Sequence, residues 1–176
     1  MKATGVVRRI DDLGRIVIPK EIRRSLRIRE GDSLEIYSDG SDAIILKKYS
    51  PVESIDAFAS QYAEAIYSTS KKEIIIMDTE KIIAASGAFR KDIIGKKIDI
   101  RLEERMRKRN IQTFSPNDNL EVTESLIIKT AAVLKPIIVY GDIIGAVIIV
   151  GDNQITDMEK ILVESTASFI SKYLET

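Results

Sequence analysis

Five arginines crowd the start of the chain: Arg8, Arg9, Arg15, Arg23 and Arg24. A guanidinium is a planar fork of fixed charge, suited to phosphate oxygens and to guanine edges. From Met1 to Arg29 there are nine Lys or Arg against three Asp or Glu, a local charge of +6 in a chain whose formal net charge is zero. The remaining residues carry −6. Such lopsidedness points to a polyanion, and nucleic acid is the polyanion that arginines in this density suit best.

Other chemistry is removed by what is absent. The sequence contains no cysteine and no histidine. That excludes disulfides, thiol nucleophiles, thiolate metal sites and imidazole bases or zinc ligands. The acidic pairs Asp11-Asp12 and Glu103-Glu104 read as turn and surface residues, so no reaction is assigned and no enzyme is expected. No metal site and no cofactor signature is present.

Stepping from these residues to the elements that carry them, the first segment predicts four short strands, at about Thr4–Ile10, Arg15–Ile18, Ser33–Tyr37 and Ala43–Lys48. They are separated by the turn signals Asp11–Gly14, Glu30–Asp32 and Asp39-Gly40. Pro19 suits the first position of a helix to about Leu26, with Ile22 and Leu26 on one face and Arg23 and Arg24 directed elsewhere. On a strand Arg8 and Arg9 take opposite faces. About fifty residues in such pieces bury little apolar surface, and domains of this size need cross-links or oligomerisation. A dimer is the expected solution, and it doubles the arginine face.

Ser50-Pro51-Val52-Glu53 has the form of a capping box opening a helix to about Tyr67. Its apolar stripe, Ile55, Phe58, Tyr62, Ala65 and Ile66, faces either its own domain or a partner helix. Beyond it, Ile74–Met77 and Ile82–Ala85 read as buried strands. Short helices follow near Arg90–Ile94 and Asp99–Asn110, then a loop over Phe114–Asn119. The strongest β signal is Ala131–Tyr140, a Gly141-Asp142 turn and Ile143–Val150. Thr156-Asp157-Met158-Glu159 is a second capping box, opening a helix with Met158, Ile161, Leu162, Phe169, Ile170 and Tyr173 on one side. The 176 residues, 44% apolar and 31% charged, therefore form an α+β protein of two small domains. No apolar run nears the roughly 18 residues of a membrane helix, and a cytoplasmic protein with no membrane partner is expected.

The run T-G-V-V-R-R-I-D-D-L-G-R-I-V-I-P-K-E-I-R-R-S-L-R-I, with G-D-S-L-E-I-Y and I-I-L-K-K-Y after it, resembles the swapped-hairpin DNA-binding domains of AbrB-like bacterial transition-state regulators. The resemblance implies an intertwined homodimer in which strands of two chains build one β-barrel. It implies double-stranded DNA as partner, contacted by Arg8, Arg15, Arg23 and Arg24. Arg9 carries over more weakly, because lysine would serve there as well. K-P-I-I-V-Y-G-D-I-I-G-A-V-I-I-V in the second half resembles a GAF domain. AbrB-like and GAF halves in this order resemble a family of sporulation regulators, activators or repressors of transcription. The resemblance implies residues 1–50 as the DNA-binding domain, 51–69 as a linker helix and 70–176 as a GAF-like sensory or oligomerisation domain. It also implies a homotetramer formed through helices of the second half.

GAF domains often enclose a small molecule, and polar groups for an unknown ligand are sought at Ser86, Ser125, Lys129 and Thr130. The second basic cluster, Arg101–Arg109, is spaced for i, i+4 pairing of Glu103 and Glu104 with Arg107 and Lys108 on a solvated helix. An alternative class is an antitoxin-like interaction module, since small swapped barrels also serve proteins that silence a toxin. Those append a disordered acidic peptide, where this chain has strands, caps and turns.

Overall fold

The computed structural model describes residues 6–175, and the chain divides between Tyr49 and Ser50 into two compact units. The first holds a helix, α1 (Lys20–Ser25), and a hairpin, β1 (Leu34–Ser38) and β2 (Ile44–Lys48). Pro19 is the N-cap of α1, one place before the position the sequence suggests, with extended backbone at ψ 146°. Glu21 in the first turn and Arg23 and Arg24 in the last match the helix dipole. The helix ends where Arg27 turns left-handed at φ 53°. Antiparallel pairing runs from Leu34 opposite Lys48 to Ser38 opposite Ile44. The Asp39 carboxylate closes this hairpin by accepting from Ser41 and from the Ala43 N–H.

The strands expected over Thr4–Ile10 and Arg15–Ile18 do not form as ladders in the single chain. Thr4 and Gly5 lie outside the described residues, and residues 6–10 and 15–18 belong to no strand. What does form is the turn between them, where Asp11 N–H donates to the Arg15 carbonyl at 3.1 Å and Gly14 N–H to the Asp11 carbonyl at 3.0 Å. Among the described residues no closed barrel exists within one copy. Val7, Ile10, Leu13, Val17, Ile36 and Ile44 each expose 66% or more of their surface, and among the described residues of this unit only Pro19 is buried.

The second unit is built on a five-stranded antiparallel sheet in the order β4-β3-β9-β8-β5. Its strands are β3 (Ile74–Asp78), β4 (Ile82–Ala85), β5 (Gln112–Phe114), β8 (Ala132–Val139) and β9 (Asp142–Val150). Alternation along the strands sends side chains to two cores. Ile74, Ile76, Ile83, Val133, Ile137, Val147 and Ile149 pack with Ala59 and Ala63 of α2 (Asp56–Ser70) and Val163, Ala167 and Ile170 of α5 (Asp157–Leu174). Ile75, Met77, Ile82, Leu134 and Ile148 face α4 (Ile100–Met106) and a small hairpin of β6 (Leu120–Thr123) and β7 (Leu126–Ile128). A short helix, α3 (Arg90–Ile93), follows β4. The β8–β9 turn centres on Tyr140 and Gly141, both at positive φ, one residue before the expected place.

Two capping boxes were expected, and one forms. Thr156 and Glu159 exchange side-chain bonds across the start of α5. Ser50-Pro51-Val52-Glu53 instead leads into a 3-10 turn over Glu53–Ile55, and α2 begins at Asp56 with no side-chain cap. This stretch, expected as a linker helix, packs on β3 and β4 as part of the second unit. β5 takes in Phe114 from the expected loop, while β6 and β7 lie in a stretch for which the sequence suggests no element.

Two close fits set the unit's tolerance. A Cβ at Gly145 would stand 2.2 Å from the Met77 carbonyl oxygen on the paired strand, so only glycine permits the β3–β9 approach there. Gly145→Ala should lower the urea-unfolding free energy by about 3 kcal/mol, the upper range for overpacking. A loss below about 1 kcal/mol would show that the strands separate easily.

Buried Glu159 is 3.0 Å from the Lys72 ammonium, which also meets Asp152 at 2.8 Å. Burial pushes the Glu159 carboxyl up, but hydrogen bonds from Thr156 and Lys72 outweigh it and hold the pKa at about 2, below the ordinary 4.5. Because the folded value is depressed, this stabilisation is complete above pH 4.5 and is lost as the pH falls toward 2. Glu159→Gln should therefore flatten the stability-against-pH curve in that window. An unchanged curve in thermal melts would remove Glu159 from the acid response.

Candidate nucleic-acid interface

Arg15 is the one expected contact residue whose geometry the chain itself fixes. Its Nε donates to Asp11 Oδ2 at 2.7 Å, while Asp11 Oδ1 accepts the main-chain N–H groups of Leu13 at 3.0 Å and Arg15 at 2.8 Å. Asp11 thus caps the turn and aims the arginine with the same carboxylate, and the remaining guanidinium face points to solvent, with 71% of the side chain exposed. Those bonds, led by the Arg15 N–H, hold the Asp11 carboxyl below its usual range.

Arg8 and Arg9 stand exposed on the extended segment before the turn, and Arg23 and Arg24 are exposed on α1. These are cationic side chains on a framework left open to solvent. Within one copy the geometry fixes no common surface for the five. The acidic companion Asp11 was legible in sequence only as a turn former. Its hold on Arg15 follows from the i, i+4 spacing across a tight turn.

The second basic cluster is spent internally. Arg101 binds Asp99 at 2.9 Å and Glu121 at 2.8 Å, tying the start of α4 to β6. Arg107 lies 3.5 Å from Glu103, the i, i+4 pairing expected. Arg105 stacks 4.8 Å from the Phe114 ring centre, and Arg109 donates to the Gly141 carbonyl at 2.8 Å.

The polar groups sought for a ligand do not converge. The buried Ser86 hydroxyl accepts the Ile74 N–H at 3.1 Å. Exposed Ser125 takes the Lys96 ammonium at 3.0 Å. Lys129 and Thr130 face solvent. The core beneath β6–β7 is apolar, lined by Ile75, Met77, Leu102, Met106, Val122 and Leu134.

Sequence reading placed aromatic residues on α2 and α5 without seeing that they meet. Phe58 stacks on Tyr173 at 5.0 Å between ring centres, and Tyr62 on Phe169 at 5.4 Å. Phe169 and Tyr173 remain about half exposed, as do Met158 and Ile161 on the same helix. The signal available was an i, i+4 aromatic pair in each helix.

The family described as "Stage V sporulation protein T C-terminal, transcription factor" matches residues 54–175, and that described as "Antidote-toxin recognition MazE, bacterial antitoxin" matches residues 7–54. Over 177 residues, 99% of each chain, the sequence is 44% identical to stage V sporulation protein T of Bacillus subtilis. It is 63% identical over 51 residues to the transition state regulatory protein AbrB of the same organism, covering 29% of this chain and 52% of that protein. The fold of the second unit is that of a GAF domain: the blue-light absorbing PixJ GAF domain of Thermosynechococcus elongatus superposes with a TM-score of 0.51 at 16% identity, covering 71% of this chain and 87% of that one.

A side-chain NMR titration of the parent protein should place the Asp11 midpoint below 3.8. A midpoint at or above that value would mean that the Asp11–Arg15 turn does not persist in solution.

Proposed function

Because the chain belongs to the stage V sporulation protein T family, we propose that it is a DNA-binding regulator of sporulation transcription whose first unit reads duplex DNA through Arg8, Arg15, Arg23 and Arg24, with Arg9 in a lesser role. The observation that carries this reading is the match to a sporulation regulator along 99% of both chains, joined to a stronger local match, 63%, over the arginine-bearing segment. Exposed guanidinium groups on a unit with +6 in its first 29 residues supply the electrostatics.

The DNA-reading form is a homodimer through the first unit. In support of this stands the exposure of six large apolar side chains on a unit of about fifty residues, more than a solvated monomer keeps in water. Strand segments 6–10 and 15–18 from two copies would complete one intertwined barrel and set ten arginines around it. The aromatic face of α2 and α5 is the contact by which dimers pair into a homotetramer, with a second copy of the same face as occupant. The GAF-like unit then assembles the oligomer, senses a signal, or does both. The protein acts in the cytoplasm, where its DNA is.

A specific observation favours a second reading, the match of residues 7–54 to an antitoxin family. On that reading the first unit holds a toxin. The folded GAF unit with its two packed cores and the whole-length relative argue for the regulator instead.

Salt titration of binding decides the matter. Eight arginines per dimer at the four best positions give a slope of log K against log salt of about −7 on a promoter fragment. Arg15→Ala should remove two contacts and flatten the slope by about 1.8. An unchanged slope excludes Arg15 as a phosphate contact, and no binding at low salt defeats the regulator reading and leaves the toxin-binding one.

A further inference from the structure

Arg15 is bound at one corner of its guanidinium and open at the other. Its Nε donates to Asp11 Oδ2 at 2.7 Å, and among the described residues nothing binds its two terminal amino groups. Asp11 cannot swing with the arginine. Its other oxygen, Oδ1, accepts the N–H of Leu13 at 3.0 Å and of Arg15 at 2.8 Å, and its own N–H reaches the Arg15 carbonyl at 3.1 Å. Gly14, left-handed at φ 75°, lets the chain close this loop. The carboxylate is therefore fixed by the backbone it caps, and the guanidinium by the carboxylate.

No such companion stands beside the other expected contacts. Among the described residues the guanidinium groups of Arg8, Arg9, Arg23 and Arg24 bind no carboxylate, and all four side chains are exposed. A loose cation meets a phosphate from any direction, and its gain is independent of sequence. Arg15 differs in two ways. Its pinned fork offers only the paired terminal donors, which call for two acceptors side by side at one place. Its charge is also offset by the Asp11 anion, which repels a phosphate arriving from the carboxylate side. The bonds that Asp11 accepts hold its carboxyl below the usual range, so the anion persists at neutral pH.

We propose that Asp11 is a specificity-determining residue: by holding Arg15 through Nε it turns a general phosphate binder into a contact made only where DNA presents paired acceptors to the open end of the fork. The inference rests on the DNA-binding reading above and deepens it by separating Arg15 from the four arginines that hold any duplex. At a preferred site the fork forms its bonds with little ordering cost, since the side chain is already held. On other DNA it contributes little, and the ratio of specific to random binding rises. Asp11 acts through Arg15 and is a positioning residue.

The test uses the full chain and three variants. Asp11→Asn keeps an oxygen for the Leu13 and Arg15 N–H groups and puts an amide donor where the Nε acceptor stood. Asp12→Asn removes the same charge from the exposed neighbour, which has no bond to Arg15. Arg15→Lys keeps the cation and loses the fork. Without DNA, Asp11→Asn should speed exchange of the Arg15 Nε–H about threefold, and Asp12→Asn should leave it unchanged. With DNA, Asp11→Asn should tighten binding to a scrambled duplex, steepen its salt slope by about 1.8 for two copies, and lower the promoter-to-scrambled affinity ratio at least about threefold. Arg15→Lys should lower that ratio as well, while Asp12→Asn should shift both affinities together and leave the ratio as it was. Equal ratios in the two asparagine variants would mean that only charge matters, and would overturn the proposal. So would a ratio that Arg15→Lys leaves intact, or weaker binding of Asp11→Asn to both duplexes, which reduces Asp11 to a turn former. Unchanged Nε–H exchange overturns the pinned fork alone, since that arm needs no DNA. Absence of salt-dependent DNA binding by the parent chain overturns the functional reading instead, and the specificity role with it.

Discussion

Everything in the first unit follows from a shortage of interior. Fewer than fifty residues carry enough Val, Ile and Leu to build a core, yet one helix of six residues and one hairpin cannot wrap around them. Burying an exposed isoleucine is worth about 1.5–3 kcal/mol, so six large apolar side chains in water represent a driving force comparable with the stability of a small domain. The arginines ride on this frame. In the proposed dimer their common surface would come into being as the apolar segments find partners, which would couple charge presentation to assembly.

The second unit solves the same problem by itself. Its central strands are covered on both faces, and the five residues of β3 are all buried. Helices close one face, while α4 and a small hairpin close the other. The result is a sheet with little freedom to slide, pinned by backbone contact at Gly145 and by a buried ion pair where α5 begins.

What could be read from sequence was whatever local chemistry decides. The β8–β9 hairpin was legible because two long β-branched apolar runs about a glycine turn specify it alone, and Thr156-Asp157-Met158-Glu159 because a capping box is closed within four residues. Ser50-Pro51-Val52-Glu53 spells the same motif and does not form it, since the Ser50 hydroxyl has a stronger acceptor in an anionic side chain 28 residues away. The β5, β6 and β7 strands have only three or four residues, too few to show a period, so their pairing follows from the sheet and the core around them. For the site, the identity of the arginines was legible, and Asp11's grip on Arg15 was within reach of spacing rules. A common surface for them was not, and the described residues of one copy fix none.

The Lys72 ammonium, clasped by Asp152 and Glu159, joins the residues just after α2 to those that open α5. These are the two helices whose aromatic rings stack on one another. Their mutual packing is set within one chain, so the tetramer contact proposed for that face would spend no free energy on ordering its own platform. The heat-capacity change of such an encounter would reflect only the area covered, without the larger signature of coupled folding. On the proposed assembly, then, the two contacts would obey opposite thermodynamics, the first unit completing its fold as it associates and the second associating as already folded.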